Sequence, residues 1–194
     1  MISTCNKILL IDNKDSFTFN LVHLFESLGC KVTISDSFDL KTDCFLDYRQ
    51  IVFSPGPGLP EDFPVMSHIL KSISKETKVL GVCLGHQSIA QYFGAKLFKQ
   101  DKVQHGQQKR ILKSESCQNT SLQYLPESFN VGVYHSWAVV PESIPKDLLI
   151  TCMSEDQVVM GLKHKYLPLE GVQFHPESFL TNIGSDLVRN WLAL

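Results

Sequence analysis

The hydrophobic and polar positions of this chain form two alternating kinds of segment: short apolar runs and longer stretches with helical spacing. The first apolar run, residues 7–11, predicts a strand buried on both faces. A helix is predicted next, with Asp15 or Ser16 placed to cap its start and Gly29 to end it. The apolar residues of that helix fall on one face: Phe17, Leu21, Leu24, Phe25 and Leu28.

The same alternation continues along the chain. Strands are predicted at residues 31–35, 50–54 and 78–82, and helices at 65–73 and 86–93. The second half is richer in predicted strands, at 129–134, 148–153, 158–164 and 171–174, before a final helix at 186–192; the polar stretch 113–121 predicts a loop. Strands separated by helices are typical of an α/β fold, with a mostly parallel central sheet and helices on both faces. No repeat or linker divides the chain, so we expect one domain over residues 1–194.

Composition and charge narrow the classes of function. The 194 residues are 43% hydrophobic and 20% charged, as in ordinary globular proteins. A net charge of −2 gives no broad basic surface, so neither nucleic acid nor an anionic membrane is an expected partner. No apolar run approaches the roughly 20 residues of a spanning helix, and the first residues lack a signal-peptide pattern. We therefore expect a cytoplasmic protein.

Six cysteines lie far apart, at positions 5, 30, 44, 83, 117 and 152, with no C-x-x-C pair. This spacing favours free thiols over a disulfide framework or a zinc site. Cys83 and His86 alone are too few to hold a metal ion, because no second ligand pair lies nearby in the sequence. We expect neither a metal nor a cofactor.

Cys83 is the cysteine whose surroundings predict chemistry. It lies between two glycines, in the string GVCLGHQ, where a strand is predicted to pass into a helix. Glycines permit the tight turn of a nucleophile elbow, a strand-to-helix turn that projects a nucleophile beyond the sheet. The helix N-terminus would favour the reactive thiolate. The alternative is a buried cysteine in a glycine-rich turn.

A base for such a nucleophile is available near the end of the chain. His175 and Glu177, in the string FHPES, are two residues apart, and Pro176 fixes the backbone between them. Glu177 could orient one imidazole nitrogen and leave the other to face Cys83, as in a Cys-His-Glu triad. A surface His-Pro-Glu turn is the alternative interpretation.

A third motif, SPGPG, follows the predicted strand at 50–54. Its prolines fix the backbone and its glycines let amides approach a ligand closely. The amides of Gly58 and Leu84 are candidates for stabilising an oxyanion, which acyl transfer requires. A rigid turn without a ligand is the alternative.

Together the strings GVCLGHQ, PGPG and FHPES resemble the class I (triad) glutamine amidotransferases, which have a flavodoxin-like fold. The opening string DNKDSFT, residues 12–18, narrows the resemblance to the component II subunits of anthranilate and aminodeoxychorismate synthases. The resemblance implies that Cys83, His175 and Glu177 hydrolyse L-glutamine and that ammonia passes to a chorismate-binding synthase subunit. It also implies a set of glutamine-binding residues: Gly56, Pro57, Gly58, Leu84, Gln87, Ser136 and Trp137.

Two other functions remain open. A thiol hydrolase on an α/β fold would use the same elbow, although α/β-hydrolases place the acid before the histidine in the chain, whereas Glu177 follows His175. A catalytically silent subunit that only binds or regulates a synthase would be expected to have lost part of the triad, and all three residues are present.

Overall fold

A computed structural model describes residues 7–38 and 44–194. Within these ranges the chain forms nine strands and four α-helices. The strands are β1 Lys7–Asp12, β2 Lys31–Asp36, β3 Gln50–Phe53, β4 Lys78–Val82, β5 Leu97–Lys113, β6 Ser128–Val139, β7 Leu148–Ser154, β8 Val159–His164 and β9 Leu169–Val172. The helices are α1 Thr18–Ser27, α2 Pro64–Ser72, α3 Leu84–Tyr92 and α4 Gly184–Ala193.

All nine described strands join one sheet, in the order β2-β1-β3-β4-β9-β8-β7-β5-β6. The five strands from β2 to β9 pair in parallel, and the remaining pairs are antiparallel. The single-domain α/β fold is therefore confirmed, with a mixed sheet rather than a mostly parallel one. Short turns without crossover helices join β7 to β8 and β8 to β9, so these consecutive strands pair antiparallel, and β5 lies between β6 and β7 and is antiparallel to both.

Helices cover both faces of the parallel half, as the apolar runs predict. In β1, Ile8 and Leu10 pack in the same core as α1 and α4. The alternate residues Leu9 and Ile11 pack on the other face with α2 and α3. Successive side chains of a strand point to opposite faces, so a continuous apolar run is what a strand between two helical layers requires.

Two local features differ from prediction. Neither Asp15 nor Ser16 caps α1: Phe17 occupies the N-cap without a side-chain bond, and the Asp15 carboxylate accepts a hydrogen bond from the Phe17 amide at 2.8 Å. The 17-residue strand β5 was not predicted, since most of its side chains are polar and exposed and show no alternation. The predicted end of α1 is confirmed, because Gly29 follows the helix with φ +84°.

Across the two described ranges, no helix combines the length and apolar character needed to cross a membrane.

Candidate active site

Cys83 lies at the junction of β4 and α3, as the nucleophile-elbow prediction requires. Its backbone has φ 52° and ψ −99°, a strained conformation for a residue with a side chain. The Cys83 amide donates to the Val172 carbonyl oxygen at 2.9 Å, and its carbonyl accepts from the Gln87 amide at 3.1 Å. These bonds hold the turn between β9 and the first turn of α3, and the side chain is 5% exposed.

The two glycines of the elbow are needed because backbones approach closely here. A Cβ atom on Gly81 would lie 2.4 Å from the Gly85 carbonyl carbon. A Cβ on Gly85 would lie 2.5 Å from the Phe53 carbonyl oxygen. Neither contact is sterically allowed, so any larger residue at these positions would displace α3 from the sheet.

His175 and Glu177 form a buried pair just after β9. Nδ1 of His175 and Oε1 of Glu177 are 2.7 Å apart, and the two side chains are 2% and 0% exposed. The spacing of two residues therefore brings both side chains to the same side of the chain, as predicted.

The His175 backbone is held from two directions. Its amide donates to the Gly132 carbonyl oxygen of β6 at 3.0 Å, and its own carbonyl accepts from the Thr181 hydroxyl at 2.7 Å. A Cβ on Gly132 would lie 2.8 Å from Ser178 Oγ, so the segment after His175 packs directly on β6.

Two aromatic rings enclose the His175 imidazole. The rings of Phe17 and Tyr134 lie with centroids 5.1 and 4.9 Å from the imidazole, at steep angles to it. The Tyr134 hydroxyl is 2.9 Å from Ser178 Oγ. The opening motif of the chain thus contributes Phe17 to the surroundings of a histidine near the other end.

The charge of His175 is set by opposing effects. Burial lowers its pKa, but the Glu177 carboxylate, its hydrogen bond and the nearby Cys83 side chain outweigh burial, and the pKa is raised well above its usual value. Nε2 has no hydrogen-bond partner among the described residues, so this atom is free to exchange a proton at the candidate site. The imidazole is therefore protonated near pH 7, with the Glu177 carboxylate as its counter-ion.

The PGPG loop is fixed in place by the opening motif. The Asn13 amide donates to Ser54 Oγ and the Asn13 side chain to the Ser54 carbonyl oxygen, both at 2.9 Å, and both residues are fully buried. Gly58 has φ +71°, and a Cβ there would lie 2.4 Å from the Asp62 carboxylate. The loop is therefore rigid at the point where its amides are candidates for oxyanion binding.

Cys83 and this loop border a cavity of about 270 Å³. It is lined by Gly56, Pro57, Gly58, Cys83, Gln87, Lys99, Tyr134, His135, Ser136 and Trp137. Larger grooves of about 620 and 300 Å³ lie at the amino-terminal ends of the parallel strands, near Lys78 at the start of β4. Ligands of α/β sheets bind at the carboxyl ends of the strands, so the smaller cavity is the better candidate.

Most of the predicted glutamine-binding residues line this cavity. Leu84 does not line it, because its buried side chain packs against Gly56. The role predicted for Leu84 is oxyanion binding by its backbone amide, which does not require the side chain to line the cavity. Sequence reasoning missed Lys99, whereas Tyr134 and His135 directly precede the predicted residues Ser136 and Trp137. Lys99 had no usable signal because β5 was not predicted, and it reaches the cavity through its pairing with Trp137 on β6.

The other histidines near the site are not equivalent to His175. Burial lowers the pKa of both His86 and His135 to about 4, so both are neutral near pH 7. His135 Nδ1 lies 2.8 Å from Gln100 Nε2 and 2.9 Å from the Trp137 carbonyl oxygen, which ties β6 to β5. The His105 ring packs edge-on against Tyr134 with centroids 5.4 Å apart.

Comparison with known proteins supplies the family. Residues 9–194 match the family model described as "Glutamine amidotransferase class-I". The chain belongs to the class-I glutamine amidotransferases. It is 41% identical over 95% of its length to aminodeoxychorismate synthase component 2 of Klebsiella aerogenes, covering 98% of that protein. It is 40% identical over 95% of its length to anthranilate synthase component 2 of Cyanophora paradoxa, covering 97% of that protein.

The fold agrees with this assignment. The crystal structure of a glutamine amidotransferase from Thermotoga maritima superposes with a TM-score of 0.72, covering 98% of this chain and 82% of that one, at 18% identity. At so low an identity the likeness concerns the fold alone.

Proposed function

We propose that this chain is a glutaminase subunit that hydrolyses L-glutamine through a cysteinyl thioester and delivers ammonia to a chorismate-binding synthase subunit. One observation carries the proposal above the others. Cys83 lies in the wall of a cavity and near enough to His175 to raise the pKa of that imidazole, whose Nδ1 is hydrogen-bonded to a buried carboxylate and whose Nε2 has no partner among the described residues. This is the arrangement of an activated nucleophile with an oriented acid and base.

The first half of the reaction forms the thioester. The Cys83 thiolate attacks the side-chain amide carbon of glutamine, and the carbonyl oxygen becomes an oxyanion held by the amides of Gly58 and Leu84. The protonated His175 gives its proton to the amide nitrogen, the C–N bond breaks, and ammonia leaves. Glu177 keeps the imidazolium in position during this transfer.

The second half releases glutamate. His175, now neutral, removes a proton from a water molecule that attacks the thioester carbon. The C–S bond then breaks and restores the thiolate and the imidazolium. The balance is glutamine plus water to glutamate plus ammonia, with no cofactor or metal required.

The open side of the cavity suits the zwitterionic end of the substrate. Lys99 is exposed at this rim and carries the positive charge that an α-carboxylate requires. Ser136 and Trp137 line the same cavity. We assign Lys99 to the α-carboxylate, which makes L-glutamine a better fit than a simple amide.

The proposed partner rests on relatives and on exposed aromatic residues near the triad. Relatives named for anthranilate synthase and for aminodeoxychorismate synthase are 40% and 41% identical, so identity does not favour one pathway. Phe179, two residues after Glu177, is 85% exposed, and Phe19, two residues after Phe17, is 65% exposed. Large exposed apolar side chains suit a protein partner that receives ammonia on this side. A cytoplasmic location is part of the proposal.

Of the two alternatives, an unrelated thiol hydrolase is disfavoured by family membership. A silent binding subunit is disfavoured by the buried 2.7 Å contact between His175 and Glu177, because a chain relieved of catalysis has no reason to keep a buried charged pair.

Cys83→Ser tests the proposal in the complex with the co-purified synthase subunit. We expect it to abolish glutamine-dependent product formation and to leave product formation from added ammonium salt intact, because only ammonia production needs the thiolate. The product also identifies the pathway: anthranilate indicates the tryptophan route and aminodeoxychorismate the folate route. Equal loss of both activities would contradict the proposed division of labour.

Cys152→Ser is a matched control. Cys152 is a fully buried thiol in the same sheet, with a pKa that burial raises well above its usual value, and it lies outside the candidate site. The control should keep glutamine-dependent activity if the complex assembles.

A further inference from the structure

Two buried glutamines connect the wall of the cavity to the Cys83 sulfur. Gln87 of α3 is 3% exposed and Gln173, just after β9, is fully buried. Gln87 Nε2 lies 2.9 Å from the Trp137 carbonyl oxygen and 3.0 Å from Gln173 Oε1. Gln173 Nε2 lies 3.5 Å from Cys83 Sγ. None of these bonds is part of the reaction described above.

The Trp137 carbonyl oxygen determines which groups donate and which accept in this series of hydrogen bonds. A backbone carbonyl can only accept, so the Trp137 oxygen requires the NH₂ group of Gln87 to face it. That NH₂ group also donates to Gln173, which must turn its oxygen toward Gln87. Gln173 is then left with its NH₂ group facing the sulfur. The hydrogen-bond network, rather than the shape of the amide, determines this orientation.

We propose that Gln173 is a thiolate-positioning residue, which donates a hydrogen bond to the Cys83 sulfur and is held in that orientation by Gln87. This inference rests on the proposed function, because a hydrogen bond to sulfur matters most when the sulfur is charged. Gln173 and His175 are two residues apart, so one short segment supplies two of the groups that contact the nucleophile.

The sulfur has few other sources of stabilisation. Cys83 is 5% exposed, so water solvates a thiolate poorly here, and buried charges need hydrogen-bond partners. His175 changes its protonation during the reaction: it is neutral while the sulfur is in the thioester and protonated again when the thiolate is restored. Gln173 keeps its donor throughout the cycle. It can therefore hold the sulfur in place both before attack and when the thiolate is restored.

The reactivity of the thiol tests this role without glutamine. Iodoacetamide alkylates a thiolate by forming an S–C bond and releasing iodide, so its rate against pH reports thiolate formation. Gln173→Glu keeps the size and the acceptor facing Gln87 but turns a second oxygen toward the sulfur. We expect alkylation of Cys83 at pH 7 to fall about tenfold or more, with the pH inflection moved upward. Gln173→Met, which has no donor and no charge, should lower the rate by about threefold to tenfold.

Gln50→Glu is the matched control. Gln50 is a buried glutamine at the start of β3, at the amino-terminal end of a parallel strand, whereas Cys83 follows the carboxyl end of β4. The Gln50→Glu substitution introduces the same charge away from Cys83, and it should leave the pH profile of alkylation unchanged. Peptide mapping assigns the label to Cys83, and circular dichroism verifies folding. If Gln173→Glu does not fold, the neutral Gln173→Met variant decides the question.

A wild-type alkylation profile in folded Gln173 variants would overturn the inference. A purely structural role for Gln173 would change the melting temperature but not the pH inflection, so that result also counts against it. Failure here is distinguishable from failure of the proposed function. If Gln173 variants alkylate normally while Cys83→Ser abolishes glutaminase activity, only the role of Gln173 is wrong.

Discussion

Glu177→Gln is the substitution that isolates the charge of the triad carboxylate from its geometry. The Glu177 side chain is fully buried, with Oε1 2.7 Å from His175 Nδ1 and Oε2 without a hydrogen-bond partner among the described residues. In the variant, the amide oxygen can occupy the Oε1 position and accept the same hydrogen bond. The NH₂ group replaces an atom with no partner to lose. The imidazole stays oriented while its negative partner is removed.

The magnitude follows from the burial of this pair. A hydrogen bond to a charged group contributes about 1.5–3 kcal/mol, against about 1 kcal/mol for a neutral one. The loss of about 0.5–2 kcal/mol of imidazolium stabilisation is little screened, because both side chains are buried. At 1.36 kcal/mol for a tenfold change, the variant should be about tenfold slower, and the basic limb of its pH profile should move down by roughly one pH unit.

The direction of this pH effect is fixed by the sign of the His175 pKa shift. Burial alone lowers that pKa, and Glu177 is the leading group that raises it. Without the carboxylate, His175 loses its proton at lower pH, so the proton donor for ammonia release is lost earlier as pH rises. The rate of glutamate release from L-glutamine, measured from pH 6 to 10 with the synthase subunit present, gives the position of the basic limb of the pH profile.

Glu170→Gln supplies the control for this experiment. It makes the same change at another buried carboxylate in β9, hydrogen-bonded to Ser121 rather than to a histidine. It should leave the basic limb where it is in the wild type. A Glu177→Gln variant with an unchanged limb and an unchanged rate would refute the role of the carboxylate.

Two further predictions concern Lys99 and Glu170. Lys99→Met should raise the KM for L-glutamine about threefold to fivefold and change kcat little, because an exposed ion pair contributes up to about 1 kcal/mol. The KM for 4-aminobutanamide, which lacks the α-carboxylate, should not change. An equal rise in KM for both substrates would exclude an ion pair between Lys99 and the α-carboxylate. Burial raises the pKa of Glu170 to about 7, against 4.5 for an ordinary glutamate, although Ser121 and two lysines partly oppose it. The folded state therefore binds the proton more tightly than the unfolded state, and stability should fall by up to about 3 kcal/mol as pH rises from 4.5 through 7. Urea unfolding at pH 5 and pH 8 measures this difference in the free energy of unfolding. The difference should disappear in Glu170→Gln. An equal pH dependence in the variant would assign the difference to other groups.

Much of the parallel half could be predicted because its signals are local. The run at residues 7–11 is apolar on both faces, and the two glycines around Cys83 indicate a turn in which backbones nearly touch. The spacing of His175 and Glu177 likewise brought their side chains together, as the 2.7 Å contact confirms. In each case the residues that determine the geometry lie within a few positions of one another.

The remaining features depend on long-range pairing. β5 is mostly polar and exposed, and it forms because β6 and β7 supply its hydrogen-bond partners. Lys99 enters the cavity only through that pairing. The orientation of Gln173 depends on Gln87 and on a carbonyl from β6, which no local pattern encodes. The wrong capping prediction has a local cause instead: the Asp15 carboxylate accepts from the amide of Phe17, two residues further on, so the helix begins later than predicted.

Cys83 must be the nucleophile that attacks the glutamine side chain if the proposed reaction takes place. Incubation of the protein with a glutamine-like diazo ketone, followed by peptide mapping, tests this directly. We predict a single covalent label on Cys83, prevented by excess L-glutamine and absent in the Cys83→Ser variant. A label on another cysteine, or labelling of Cys83 that L-glutamine does not prevent, would contradict the central claim.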